Sequence, residues 1–541
     1  MAVASITRLA FLLLLIFLSR TTWALNTSSS ASLDSHLRSF CHSAPYPEVC
    51  FDSLKLSITI SFNPNILTYL LQSLHVALSE AGKLADVLAK AGQRSNIIEK
   101  QEGALQDCNE LHQITLSSLQ KSASWVRSSP NAESRKLADA RAFLSAALTN
   151  KNTCLEGLDS ASGTFNPTLL NSVISTYRHV SNCLSILSRL STPERRPNRR
   201  LLGVPKWVLR KHGRVLHISS LEQYDASSVL LVAKDGTGNF TKITDAINFA
   251  PNNSVHRVIV YIKQGVYDEN VEIPSYKPNI VLLGDGTNLT LITSNRSVVD
   301  GWTTFRSATV AVSGDGFLAR DISFENRAGA EKHQAVALRV NADLAAVYRC
   351  AINGYQDTLY VHSFRQFYRE CDIYGTVDFI FGNAAVVFQA CNLVVKMPLR
   401  GQYAVVTAQS RDSEYEDTGI SVQNCSVVAA SELYNVKATN RVRSYLGRPW
   451  REYSRTVFME SYIDELIDPT GWVEWPGVDE GRLETLYYGE YENDGPGSGT
   501  ENRVRWSGYH VMDYDDASNF SVSNFIAGDD WLESTLFPFD D

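Results

Sequence analysis

The sequence predicts a right-handed parallel β-helix preceded by an all-α four-helix bundle. Three observations carry this: a spacing near 21 residues that recurs in the C-terminal part, short β-rich runs with no regularly interposed helices, and a helical N-terminal third cut off by a basic linker. Asp357 and Asp378 are 21 residues apart, as are Cys350 and Cys371, while Gln334 to Gln356 is 22 and Cys371 to Cys391 is 20. A period of this length marks a solenoid whose coils stack on one another. Neighbouring parallel strands lie about 4.7–4.9 Å apart, so side chains one period apart become neighbours. Asp357 and Asp378 should then face each other, with Gln334 and Gln356 stacked beside them. Two converging carboxylates and two amide donors point to hydrolysis.

The elements follow in chain order. Residues 1–24 read as a removed signal peptide: Arg8 precedes the apolar run Leu9–Leu18, and Thr22-Trp23-Ala24 offers small residues for cleavage. That run is too short to span a bilayer, so no membrane anchor is expected. A secreted product permits disulfides, and it gives meaning to the sequons at Asn26, Asn239, Asn252, Asn288, Asn295 and Asn519. A seventh, Asn424, falls in a strand-like stretch and is expected to stay unmodified.

Residues 25–190 form the helical region. Leu67, Leu70, Leu71, Leu74 and Leu78 share one helix face, as do Leu137, Ala140, Leu144, Ala147 and Leu148, and Pro64 and Pro167 sit where helices begin. Amphipathic helices joined by short connections imply a bundle. Residues 191–217 hold eight Lys/Arg against one Glu, with Pro193, Pro197 and Pro205. This is a linker composition, and its Arg199-Arg200-Leu-Leu offers a cut site to a processing protease. From residue 218 to the end, short runs such as Val258–Ile262, Val386–Phe388 and Ala404–Thr407 alternate with Gly, Asn and Asp. Ala346–Asn353, Phe367–Tyr374 and Val387–Val394 can be laid over one another, which hairpins of a sandwich would not explain.

Charge is divided unevenly. Residues 25–217 carry 22 basic and 14 acidic groups, whereas residues 218–541 carry 26 and 44, a net of −18. Nucleic acid is therefore excluded as a partner of the C-terminal domain. A basic bundle could dock on it. An anionic polymer should be repelled, unless a local basic patch lines the site.

Five motifs occur in order: Gly265-Val-Tyr-Asp-Glu269, Gln334-Ala-Val-Ala-Leu338, Tyr355-Gln-Asp-Thr-Leu359, Asp378-Phe-Ile-Phe-Gly382 and Leu446-Gly-Arg-Pro-Trp450. Together they resemble the plant pectin methylesterases, and residues 34–190 resemble the inhibitor-like pro-region of such precursors. The resemblance implies a monomeric enzyme, secreted to the cell wall, that demethylates homogalacturonan with no metal or other cofactor. It implies Asp378 as nucleophile, Asp357 as acid and then base, Gln356 and Gln334 as oxyanion donors, Arg448 as the partner of Asp378, and Trp450 and Thr304 as sugar contacts. It also implies disulfides Cys371–Cys391, Cys41–Cys50 and Cys108–Cys154. The partners implied are methyl-esterified pectin, a processing protease, and the chain's own pro-region or a separate inhibitor protein.

Taken singly, each of these residues has a plainer role. Asp357 and Asp378 could cap turns, Gln334 and Gln356 could form an amide ladder, and Arg448 and Trp450 could serve the surface and core. Phe364 could line a subsite or simply pack. Other readings are a β-helix glycosidase, which also uses two carboxylates, a Ca²⁺-dependent lyase, and a non-catalytic wall-binding or inhibitor protein. The glutamine pair and Leu446-Gly-Arg-Pro-Trp450 favour the esterase.

Overall fold

The computed structural model describes residues 34–55, 65–92, 99–128, 134–161, 167–190, 229–434, 442–477 and 480–541. The signal segment, the linker with Arg199 and Arg200, and Asn26 lie outside the described residues.

A short helix α1 (Pro47–Lys55) leads into four long ones, α2 (Ile66–Gly92), α3 (Glu99–Arg127), α4 (Ser134–Ser160) and α5 (Pro167–Ser188). Leu70, Leu74, Ala77, Ala81, Leu84 and Leu88 form one buried stripe on α2. That spacing of alternating threes and fours is what a bundle seam demands. The stripe meets Leu105 and Leu119 of α3, Leu144 and Leu148 of α4, and Val173 and Val180 of α5 in one apolar core. Cys108–Cys154 ties α3 to α4, and Cys41–Cys50 closes the start of the bundle.

Beyond Val229 the described residues wind through parallel strands in sheets of 11, 8 and 7 strands, a full coil giving one strand to each. This is the parallel β-helix that the repeat implies. Ala346 pairs with Phe367 and Phe367 with Val387, the alignment that the repeats suggest. Inside, Val347, Tyr368 and Phe388 stack along the axis, with Tyr368 and Phe388 rings 4.9 Å apart. This core is separate from that of the bundle. The coils turn sharply at residues with left-handed backbone, among them Arg349, Glu370, Ala390 and Asn424.

Two expectations need correction. Asn424 lies in such a turn, between the strands Gly419–Gln423 and Ser426–Ala429, and is exposed, so burial gives no reason to exclude its sequon. Cys371 and Cys391 are not bonded; both are buried free thiols, as are Cys183, Cys350 and Cys425. Each sulfur in the ladder points back to the carbonyl two residues before it and lies under the amide of the preceding coil. Cys371 N–H donates to Cys391 Sγ at 3.4 Å, and Cys391 N–H to Cys425 Sγ at 3.3 Å. One shared rotamer stacks the thiols in parallel instead of turning two of them together.

Candidate active site

The seven-stranded sheet carries the site on its outer face. One register row runs through Ala311, Arg339, Tyr360, Phe381, Ala408 and Arg448. Side chains alternate faces along a strand, so this row points outward while Leu338, Leu359 and Ile380 fill the core. Tyr360 and Phe381 stack with centroids 4.1 Å apart, making an aromatic floor that Trp450 and Trp475 continue.

Asp357 and Asp378 occupy equivalent turns, each two residues before its strand, in Leu359–Val361 and Ile380–Gly382. Both have left-handed backbone, with φ of 60° and 52°. Non-glycine residues rarely adopt this conformation, and the rigid coil enforces it. The two turns are hydrogen-bonded neighbours, since Asp357 N–H donates to the Val377 carbonyl at 3.1 Å. Gln334 and Gln356 lie half-buried one coil apart, with Ala335 N–H donating to the Gln356 carbonyl at 3.2 Å. Thr304 is half-buried in the turn that precedes Ser307.

Arg448 grips Asp378 with two parallel bonds, Nε to Oδ1 at 2.8 Å and Nη2 to Oδ2 at 2.5 Å. A planar fork on a carboxylate fixes both orientation and charge. Tyr403 Oη accepts from the third nitrogen at 3.2 Å, and the guanidinium rests over the Trp475 ring. Electrostatics separate the carboxyls. Burial and then the Asp378 charge push Asp357 well above the usual range, against the pull of Arg448. Burial also raises Asp378, but Arg448 opposes it by direct hydrogen bonds as well as charge. In the coupled pair Asp357 is thus the natural proton holder and Asp378 the anion.

Both carboxyls are buried, and the bundle lies across the same outer face. Leu111 of α3 is fully buried among Phe305, Val336, Tyr360, Phe381 and Ala408, with Trp450 and Trp475 at the rim. Thr153 of α4 meets His362 Nε2 at 2.9 Å, and Thr149 Oγ1 accepts from Asn383 Nδ2 at 2.9 Å. Phe364, open to two readings from sequence, packs on Phe143 and Ile114 of the bundle.

Charge at this interface runs in two directions. Towards the periphery Lys121 pairs with Asp315, Arg141 with Asp417 and Lys151 with Asp412, matching the basic-on-acidic docking expected. Over the cleft the polarity inverts: Asp107 and Glu110 face Arg306 and Arg339, and Glu156 faces Arg451. Net charge per domain hides this inversion. Sequence reasoning missed Arg306, Arg339 and Arg451, although Arg306 lies two residues after Thr304 and Arg451 directly follows Trp450.

Asp107 makes docking sensitive to acid. Burial lifts its carboxyl to about 6, against Arg306, Thr303 and Arg339, while Glu110 adds to the rise. Once that face is open to water the carboxyl returns towards its ordinary value of 3.8. A group raised in the docked state favours docking while protonated. Docking is therefore strongest below about pH 4 and weakens as pH rises through 6. With the linker cut, size-exclusion chromatography should find the two parts together at pH 4.5 and increasingly apart at pH 7.5; equal retention at both would refute this.

Comparison with known proteins agrees with the two-part architecture. Residues 229–529 match the pectinesterase family, and residues 35–186 match the plant invertase/pectin methylesterase inhibitor family. The chain is 60% identical to "Probable pectinesterase/pectinesterase inhibitor 12" of Arabidopsis thaliana, over the whole of both chains. It is 42% identical to a "Pectinesterase/pectinesterase inhibitor" of Ficus pumila var. awkeotsang, covering 94% of this chain and 92% of the relative. Among solved structures, the carrot pectin methylesterase matches with a TM-score of 0.56 and 52% identity, covering 57% of this chain and 97% of its own. The carrot chain thus matches a span the size of the β-helix domain, and that domain has a core separate from that of the bundle. The chain belongs to the pectinesterase family: it is a carboxylic ester hydrolase that demethylates pectin, fused to an inhibitor-like helical domain.

Proposed function

We propose that the enzyme demethylates homogalacturonan in the cell wall through Asp378 and Asp357, and that its N-terminal bundle keeps the secreted precursor inactive until the linker is cut at Arg199-Arg200. The bidentate Arg448–Asp378 pair beside a proton-holding Asp357 carries the catalytic reading. Asp378 attacks the ester carbonyl, and the tetrahedral oxyanion is stabilised by the side-chain amides of Gln334 and Gln356. The carbonyl re-forms as the C–O bond to methoxide breaks, with Asp357 giving its proton to the departing oxygen, so that methanol leaves. The ionised Asp357 then takes a proton from water, which attacks the acyl-enzyme and frees the galacturonate carboxylate and Asp378. Trp450 and the Tyr360–Phe381 stack offer apolar faces to the sugar rings, and Thr304 borders the same cleft.

Leu111, seated on that aromatic floor, supports the inhibitory reading, because a polymer cannot lie where α3 lies. Inhibition by a separate protein of the same kind would use the same face. The decisive assay is methanol release from highly methylated pectin by the β-helix domain, with chain length followed in parallel. Methanol without shortening is expected, and Asp357→Asn should reduce it by about 10²–10⁴-fold. Shortening of the polymer would favour a glycosidase or lyase instead.

A further inference from the structure

The inverted charges over the cleft have a use beyond docking. Asp107 Oδ2 accepts from Thr303 Oγ1 at 2.6 Å and its Oδ1 meets Arg306 Nε at 2.6 Å. Glu110 Oε1 accepts from Ser313 Oγ at 3.1 Å and lies 3.7 Å from Arg339 Nη2, while its Oε2 accepts from Arg306 at 3.3 Å. Two guanidiniums and two hydroxyls thus hold two carboxylates. Arg339 is braced for this, lying flat over the Phe305 ring and donating to Asn341. On the other side of the catalytic pair, Arg451 holds Glu156. From the strand of Arg339 to the strand that leads into Arg451 is four steps along the sheet, about 19 Å at parallel-strand spacing.

These arginines do not serve the reaction proposed above, and a domain of net −18 has little reason to collect cations in one groove. The ligand of the groove supplies a reason, since demethylated galacturonate presents carboxylates at every sugar. Asp107 and Glu110 are three residues apart on a helix, a rise of about 4.5 Å, close to the length of one 1,4-linked pyranose. We infer that Arg306 with Arg339, and Arg451 beyond the catalytic pair, are carboxylate-reading subsites for free galacturonate residues flanking the scissile ester, and that Asp107, Glu110 and Glu156 of the bundle occupy them as stand-ins. This inference rests on the catalytic reading for the cleft's orientation. A sugar in the open cleft keeps water on its outer side, so its carboxylate stays ionised to lower pH than Asp107, which burial lifts to about 6.

The test is direct binding, which does not depend on turnover. Fully de-esterified galacturonate oligomers are titrated by calorimetry into the β-helix domain carrying Asp378→Ala, which cannot turn over an ester, with fully methylated oligomers alongside. Arg306→Gln and Arg451→Gln should each weaken the acidic oligomer about tenfold, as expected for losing a charge-assisted bond, and leave the methylated oligomer unchanged. Arg306→Lys should recover part of the loss, and the intact precursor should bind neither. Equal affinity of this domain and both arginine variants for the acidic oligomer would overturn the inference. So would parallel loss of both oligomers, which would mark a merely structural role. A domain that binds as described yet, with Asp378 in place, releases no methanol would instead refute the esterase reading.

Discussion

Asp378→Ala should abolish methanol release, by at least about 10⁴-fold, because a lost nucleophile cannot be replaced by a neighbouring group. The fold should survive. Asp378 sits in an outer turn, whereas the core is made by residues such as Leu359, Ile380 and Phe388. Arg448 would lose its bidentate partner but keep Tyr403 and the Trp475 face. The measurement pairs methanol release with circular dichroism of the purified β-helix domain. Wild-type turnover from a folded variant would exclude Asp378 as nucleophile.

Leu111→Asp in the intact precursor should do the opposite and switch the enzyme on. Leu111 belongs to the cleft's aromatic cluster and not to the core of the bundle, so the bundle itself should stay folded. A carboxylate forced among the rings of Phe305, Tyr360 and Phe381 would lose its water and the apolar contacts of the leucine, which costs several kcal/mol, and Arg339 over the Phe305 ring is already engaged by Glu110. Docking should weaken at least about 100-fold, and methanol release should approach that of the isolated β-helix domain. A precursor as active as the isolated domain before any substitution would show that the bundle does not inhibit.

Much of this was legible in the sequence because a solenoid turns sequence distance into spatial contact. The 21-residue interval between Asp357 and Asp378 equals that between Leu359 and Ile380, which pair across adjacent coils. Periodicity alone thus placed the carboxyls together. Arg448 is 70 residues from Asp378, across a coil of different length, and only the motif resemblance pointed to it. The thiol ladder shows the converse limit. Repeat spacing brought Cys371 near Cys391, but the rotamer, which decides bonding, is set by backbone geometry that spacing does not encode. The cleft arginines were invisible for a third reason. Their meaning depends on which helix face lies opposite, and summing charges over whole domains averaged that face away.

Repeat proteins usually grow and shrink by whole units, since each coil touches only its neighbours. The Arg448–Asp378 bond breaks that freedom. Between the strands Ile380–Gly382 and Ser444–Pro449 lies a third, Ala404–Gln409, so the guanidinium reaches across an intervening rung to its carboxylate. Deleting that rung would crowd the pair, and duplicating it would part them. The ion pair thus ties this three-rung segment to its present length.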